Sequence, residues 1–525
     1  MRFKFCILIF SLTHLLWSQP DILWQNTIGG ASNDVLHDIE LYSDGGHIIG
    51  GVSNSNISGE KTENSRGEND FWILRQNSQG TPLWQRTLGG SNSDTCNSIC
   101  ISGETILVGG VSYSVISGDK TEVSRGIGDY WIINIDSEGV IMWQKTIGGE
   151  GLDVLTSVNN TDDGGFILGG WSDSNISGEK TENARNFSAD YWLLKIDSMG
   201  SIEWQKTYGG ENIDHLTVVK QTTDAGYIVG GSSSSNISFD KTENSRGDFD
   251  YWILKLNSEG NIMWQKTFGG AEGDQLVDLI ENPAGGFLSI GYSSSDISGD
   301  KTENSRGSSD FWIVSIGADG SNGWQKTIGG SAYDAPRSIY PTFDSQFIIG
   351  GTSESSISGE KSENSRGLAD CWLVKINQTG DITWQKTIGG ELADNIYSLK
   401  QISNTGFILG CNSRSGISGE KNDVCRGETD FWLIALDSDT LDIADNITLT
   451  SKPYPNPTQK TIYINFEDIQ TGEYFLSDVS GKIITKSTYY MVMELAIDID
   501  GGDGIYFLNL KNTQGKILKY KIIKN

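Results

Sequence analysis

The sequence predicts an all-β chain: a seven-bladed β-propeller of 60-residue, four-stranded repeats, followed by a small β-sandwich. Three observations carry this. Trp-Gln returns at Trp24, Trp84, Trp143, Trp204, Trp264, Trp324 and Trp384, at intervals of 60, 59, 61, 60, 60 and 60 residues, and a fixed period of this size marks stacked supersecondary units. A second tryptophan keeps step at Trp72, Trp131, Trp192, Trp252, Trp312, Trp372 and Trp432. Within each period the apolar runs are short, rich in Ile, Val and aromatics, and separated by glycine turns, which is the pattern of strands and hairpins.

In chain order, residues 1–19 read as a secretory signal peptide. Arg2 and Lys4 precede an apolar run from Phe5 to Trp17 that is too short to span a bilayer. Residues 20–440 hold the repeats. In residues 150–210 a strand around Val154 to Val158 is followed by a Gly164-Gly165 turn and a strand from Phe166 to Gly170. A long polar loop then leads to a strand at Tyr191 to Ile196, and a tight turn to a strand carrying Trp204. Four antiparallel strands have two faces to bury, and radial stacking buries both. The strand around Trp24 has no preceding partners in its period, and the last repeat stops at its third strand, Phe431 to Leu436. The two fragments are expected to complete one sheet, closing seven blades without a free edge. Residues 441–452 read as a linker and 453–525 as a separate domain of alternating strands.

The turn before the fourth strand, at Asp136 to Trp143 and Asp197 to Trp204, resembles the blade motif of pyrroloquinoline-quinone-type propellers. That resemblance implies a tryptophan packed between adjacent blades; no quinone or calcium site of those enzymes can be matched. The tail carries Tyr454-Pro455-Asn456-Pro457, Gly481-Lys482, Gly504 and Tyr506, and a terminal segment with Lys521 and Lys524. In this order and position they resemble the type A sorting domain of type IX secretion cargo in Bacteroidetes. The resemblance implies export, handling by the type IX secretion machinery at the outer membrane, and a secreted or outer-surface location.

Charge narrows the function classes. Asp and Glu number 68 against 39 Lys and Arg, for a net charge of -29, and such a field repels phosphate backbones and anionic membranes. Nucleic acid is excluded as a partner, and no later run is long and apolar enough for the mature chain to be transmembrane. Residues 441–525 are nearly neutral, with 9 Lys against 10 Asp and Glu, so the acidity belongs to the propeller. Cys96, Cys100, Cys371, Cys411 and Cys425 form no disulfide framework or zinc spacing, although Cys411 and Cys425 could meet across a hairpin.

The loop between second and third strands is almost constant. Its lysines are Lys61, Lys120, Lys180, Lys241, Lys301, Lys361 and Lys421, and its arginines Arg66, Arg125, Arg185, Arg246, Arg306, Arg366 and Arg426. These suggest a charged ring on one face, suited to sugar or carboxylate contacts through bidentate arginine. A structural reading stands beside it: the arginine and the following Asp, as in Arg66 and Asp70, latch a loop to its own or the next blade, and Asp34 caps the Gly-Gly turn. Departures from the repeat at Trp171 and Arg414 are further ligand-binding candidates. His37, His47 and His215 share no repeat position, and no catalytic triad, metal-ligand cluster or phosphate loop stands out. The expectation is therefore a secreted or cell-surface, non-catalytic propeller for ligand binding or adhesion, with an extracellular glycan or surface protein as partner and no cofactor or metal. A polysaccharide-acting enzyme with carboxylates on the long-loop face, and a passive surface scaffold, are the alternatives.

Overall fold

The computed structural model describes residues 19–403, 406–437, 453–478, 482–512 and 517–525. Residues 1–18, most of the expected signal peptide, and the expected linker 441–452 lie outside this set, as does Gly481. The chain divides into two units, Met1–Ser438 and Asp439–Asn525.

The first unit is a seven-bladed propeller, built from seven four-stranded antiparallel sheets. Blade 3 is representative, with strands Asp153–Asn160, Phe166–Ser172, Asp190–Ile196 and Ile202–Tyr208 from the axis outward. Blade 7 is made from both ends of the propeller: Asp21–Ile28 pairs with Asp430–Asp437, Gln25 lying opposite Ile434. The tryptophan of every third strand is fully buried. It packs between blades, as Trp192 does on Tyr130 of the preceding blade at 4.8 Å.

The Trp-Gln dipeptide has a physical reason. Gln85 Oε1 accepts from Trp72 Nε1 and from the Thr62 amide, while its Nε2 donates to the Glu60 carbonyl. One side chain thus ties the fourth strand to the third and to the long loop. Gln25 does the same for blade 7 through Trp432, Asn422 and Glu420. The neighbouring Trp84 reaches the next blade, where its Nε1 donates to the Ser137 carbonyl at 2.7 Å. A Cβ on Gly139, which has φ +77°, would lie 2.9 Å from the Trp84 ring. The turn glycine is required by both its backbone conformation and this close approach.

The second unit is a four-stranded antiparallel sheet. Pairing of its long first hairpin, Thr461–Asp478 with Ile483–Asp498, is interrupted between Asn465 and Gly472. Ile462, Ile464, Leu495 and Ile497 from one half share an apolar core with Leu476, Leu508 and Ile522 from the other.

Candidate functional site

The conserved loop is occupied with structure. Each of the seven lysines is only 1–2 % exposed. Each places Nζ 4.7–5.5 Å over its own blade's third-strand tryptophan and donates to a fourth-strand threonine at 2.5–3.1 Å. Burial, opposed by Asp34 and Asp70, lowers the Lys61 pKa to about 8. The expected ring of ligand-facing lysines is corrected accordingly: Lys61, Lys120 and Lys180, with their equivalents, are internal braces.

The arginines form a closed circuit of ion pairs between blades. Arg66 pairs with Asp119, Arg125 with Glu179, Arg185 with Asp240, Arg246 with Asp300, Arg306 with Glu360, Arg366 with Glu420, and Arg426 with Glu60 across the closure, at 2.5–3.0 Å. Those carboxylates also accept from the first amide of the Gly-Gly connection, as Glu60 does from Gly29. Asp70 accepts from the Arg66 amide and Asp34 from that of Gly30, the latching and capping arrangement that the spacing allowed. Trp171 is also engaged, stacked on His215 at 4.5 Å, and His215 in turn lies 6.4 Å from Phe249. Arg414 is exposed, its guanidinium in no ion pair or hydrogen bond among the described residues. Cys411 does not meet Cys425. Cys425 Sγ donates to the Ser413 carbonyl at 3.1 Å, whereas the Cys411 thiol faces that of Cys371, and all five described cysteines are free.

A candidate site that repeat reading passed over lies on the axis. The seven first strands enclose a channel of about 450 Å³. Each strand carries a β-bulge at the same place, marked by the register shift between Leu36 and Asp38 in blade 1 and its equivalents. The extra residues are His37, Asn97, Thr156, Thr217, Val277, Arg337 and Tyr397, and all line the channel. A bulge bends its strand and re-aims the side chain it inserts. The repeat therefore presents side chains that differ between blades to one cavity.

Four of these residues serve the fold. His37 Nδ1 is 2.7 Å from the Cys96 carbonyl, Asn97 Nδ2 donates to that of Leu155, Thr156 Oγ1 to that of Leu216, and Thr217 Oγ1 to that of Leu276. The first contact makes Nδ1 the protonated nitrogen of His37, whose pKa is lowered by burial. Arg337 and Tyr397 behave differently: neither side chain has a hydrogen bond or ion pair among the described residues. The Arg337 guanidinium lies 5.3 Å over the Tyr397 ring, which stacks on His37 at 5.9 Å.

The other channel charges are neutralised. Lys400 pairs with Glu40 at 2.6 Å and Lys220 with Asp278 at 2.8 Å. Asp38 accepts from the Ile39 and Ile99 amides and from Ser398 Oγ, with its pKa raised by burial to about 6. His47 is a core residue, its Nε2 2.7 Å from Gln76 Oε1. Among the described residues no group of three or more His, Cys, Asp or Glu is set to hold a metal.

In the second unit Asn456, Gly504, Lys521 and Lys524 of the expected sorting landmarks meet at the last strand. Tyr454 exchanges backbone hydrogen bonds with Tyr463. The Asn456 side chain donates to the Lys521 carbonyl and accepts from the Ile523 amide. Lys524 Nζ donates to the carbonyls of Ile499 and Gly501, and Tyr506 to that of Gly502. Gly504 opens the third strand, paired with Lys524, and the Asp478 amide donates to the Lys482 carbonyl while the Lys482 amide donates to the Asp478 side chain. Pro455 and Pro457 flank Asn456 and are exposed.

Residues 452–525 match the family described as the secretion system C-terminal sorting domain. The chain is 22% identical over 216 residues to the regulatory protein FlaEY of Caulobacter vibrioides, a match covering 39% of this chain and 22% of that protein. Similar solved structures include the Kuenenia stuttgartiensis hydrazine synthase, at 9% identity and TM-score 0.42 over 72% of this chain and 94% of that one. The Neurospora crassa Pan2 WD40 domain is matched at 9% identity and TM-score 0.43 over 79% of this chain and 95% of that one. The sorting domain makes the protein a type IX secretion cargo, secreted or displayed at the outer cell surface, and no described helix is long and apolar enough to cross a membrane.

Proposed function

We propose that this exported cargo is a non-catalytic ligand-binding protein of the cell surface, and that its binding site is the channel mouth framed by the seven bulge residues. One observation carries the reading: the long loop, the turn glycine and the two tryptophans recur from blade to blade, whereas the bulges aim the differing side chains His37, Asn97, Thr156, Thr217, Val277, Arg337 and Tyr397 into one cavity. Binding residues are expected on positions that differ between copies and are mounted on a rigid scaffold. The conserved loop supplies that rigidity through its buried lysines and inter-blade arginines. The cavity is also of the size that takes a small ligand or one terminal unit of a larger one.

Glycan-array binding with the full secreted chain tests this. Val277→Trp fills the mouth without removing a hydrogen bond, and should abolish binding while leaving the melting temperature within a few degrees. Arg66→Ala removes a latch and should retain the ligand profile. Binding that survives Val277→Trp and disappears with a folded Arg66→Ala would move the site back to the loop face.

A further inference from the structure

The channel mouth has one sector unlike the rest. Arg337 of blade 6 sits over Tyr397 of blade 7, and its charge also acts on Tyr292 of blade 5 and Tyr333 of blade 6. The rings of Tyr292 and Tyr333 are 6.2 Å apart. The positions equivalent to Tyr292 hold Val52, Val111, Trp171, Ser232, Thr352 and Asn412, so the tyrosine cluster belongs to this sector and not to the repeat.

Arg337 is also anomalous in its electrostatics. The chain carries a net charge of -29, and every other described arginine except Arg414 is bound to a carboxylate or a backbone carbonyl. Arg337 has an aromatic face beside it and no anion. An exposed guanidinium offers a planar fork for a carboxylate. Tyrosine faces supply flat apolar surface with a polar rim, which suits the C–H face of a sugar ring.

We propose that this sector binds a uronic-acid unit of an acidic glycan, with the sugar carboxylate forked by Arg337 and the pyranose ring against Tyr397. The assignment rests on the channel mouth being the binding site and adds its ligand class. The spare acceptor capacity of Thr156 and Thr217 is left for the sugar hydroxyls across the channel.

The test is calorimetric titration of the full secreted chain with oligogalacturonate and with the carboxyl-reduced, neutral oligosaccharide of the same length. The uronate should bind, the neutral form should bind at least about tenfold more weakly, and the affinity should fall with salt. Arg337→Gln should remove that preference, losing at least about tenfold for the uronate with no change for the neutral form. Absence of uronate binding, equal binding of the two sugars, or full uronate affinity in Arg337→Gln would overturn the assignment. Val277→Trp separates this failure from failure of the channel: uronate binding untouched by both variants would overturn both readings, whereas no uronate binding beside a neutral glycan that binds and is lost with Val277→Trp would overturn the uronate alone.

Discussion

Single residues in a repeat can be read against six internal controls. The second residue of each third strand is aromatic in six blades, Phe71, Tyr130, Tyr191, Tyr251, Phe311 and Phe431, and the next blade meets Tyr130, Tyr191, Tyr251 and Phe311 with a glycine. A Cβ on Gly170 would lie 2.6 Å from the Tyr130 hydroxyl, one on Gly231 2.7 Å from that of Tyr191, and one on Gly351 2.8 Å from Phe311. Between blades 6 and 7 both partners have changed: Cys371 replaces the ring and Cys411 the glycine, and both are fully buried. The smaller side chain opens the space that the larger one fills. Cys371→Phe alone is therefore expected to overpack the junction and cost about 1–3 kcal/mol. Adding Cys411→Gly should restore the repeat pair and recover about 1–3 kcal/mol as a coupling energy in a double-mutant cycle. Urea denaturation measures both, and simple additivity would refute the compensation.

At the level of the element, the first strand decides closure. Asp21–Ile28 supplies the outer strand of blade 7, gives Gln25 to Trp432, and offers Thr27 to the ammonium of Lys421. Without it the strand Asp430–Asp437 becomes an exposed edge, Trp432 Nε1 loses its acceptor, and Lys421 loses its hydroxyl partner. A buried donor left unpaired costs about 1–3 kcal/mol, and an open edge invites association. Deleting residues 20–28 should lower the melting temperature and produce oligomers on gel filtration, and a synthetic peptide of residues 19–30 added in trans should reverse both. A deletion variant as stable and monodisperse as the parent would show that the ring does not depend on this strand.

Across the whole propeller, burial sets an unusual dependence on pH. The Asp that opens each third strand is held above its ordinary range, chiefly by burial and further by the neighbouring blade's Asp: Asp129, Asp310, Asp370 and Asp430 at about 6, Asp250 at about 7 and Asp190 at about 8. Except in Asp430, one buried oxygen of each accepts no hydrogen bond. A carboxyl whose folded pKa is raised takes up its proton on folding, so its contribution is present below the unfolded value near 4 and is lost as pH rises through 6 to 8. Melting temperature should accordingly rise as pH is lowered from 8 to 5. Near pH 2 the trend reverses, because Asp163 and Asp224, held at about 2 against the opposing effect of burial by Thr161, Lys195 and Thr222, Lys255 respectively, become protonated. Differential scanning fluorimetry across this range checks the sign, and Asp190→Asn should flatten the upper part of the curve. A melting temperature that falls steadily from pH 8 to 5 would show that the junction carboxyls do not dominate.

The sequence alone determined the period, the four strands within it, the count of seven, the closing strand and the sorting domain. Each of these is written in local chemistry that recurs: Trp-Gln, the turn glycine, the apolar runs, and the landmarks from Tyr454 to Lys524. Even the choice between a charged ligand ring and a set of latches was open on the spacing of Lys61, Arg66 and Asp70. Tertiary structure decided that choice, because the placing of Lys61 on Trp72 depends on how the long loop folds back on its own blade, and the reach of Arg66 to Asp119 on how one blade meets the next. It also placed the candidate site. Arg337, Tyr397 and His37 sit three residues after Asp334, Asp394 and Asp34, a variable position that is visible in an alignment of the copies but carries no meaning along the chain. Only a bulge, which turns one extra residue out of the pairing, and a seven-fold closure, which brings seven such residues around one axis, make it a surface that a ligand can occupy.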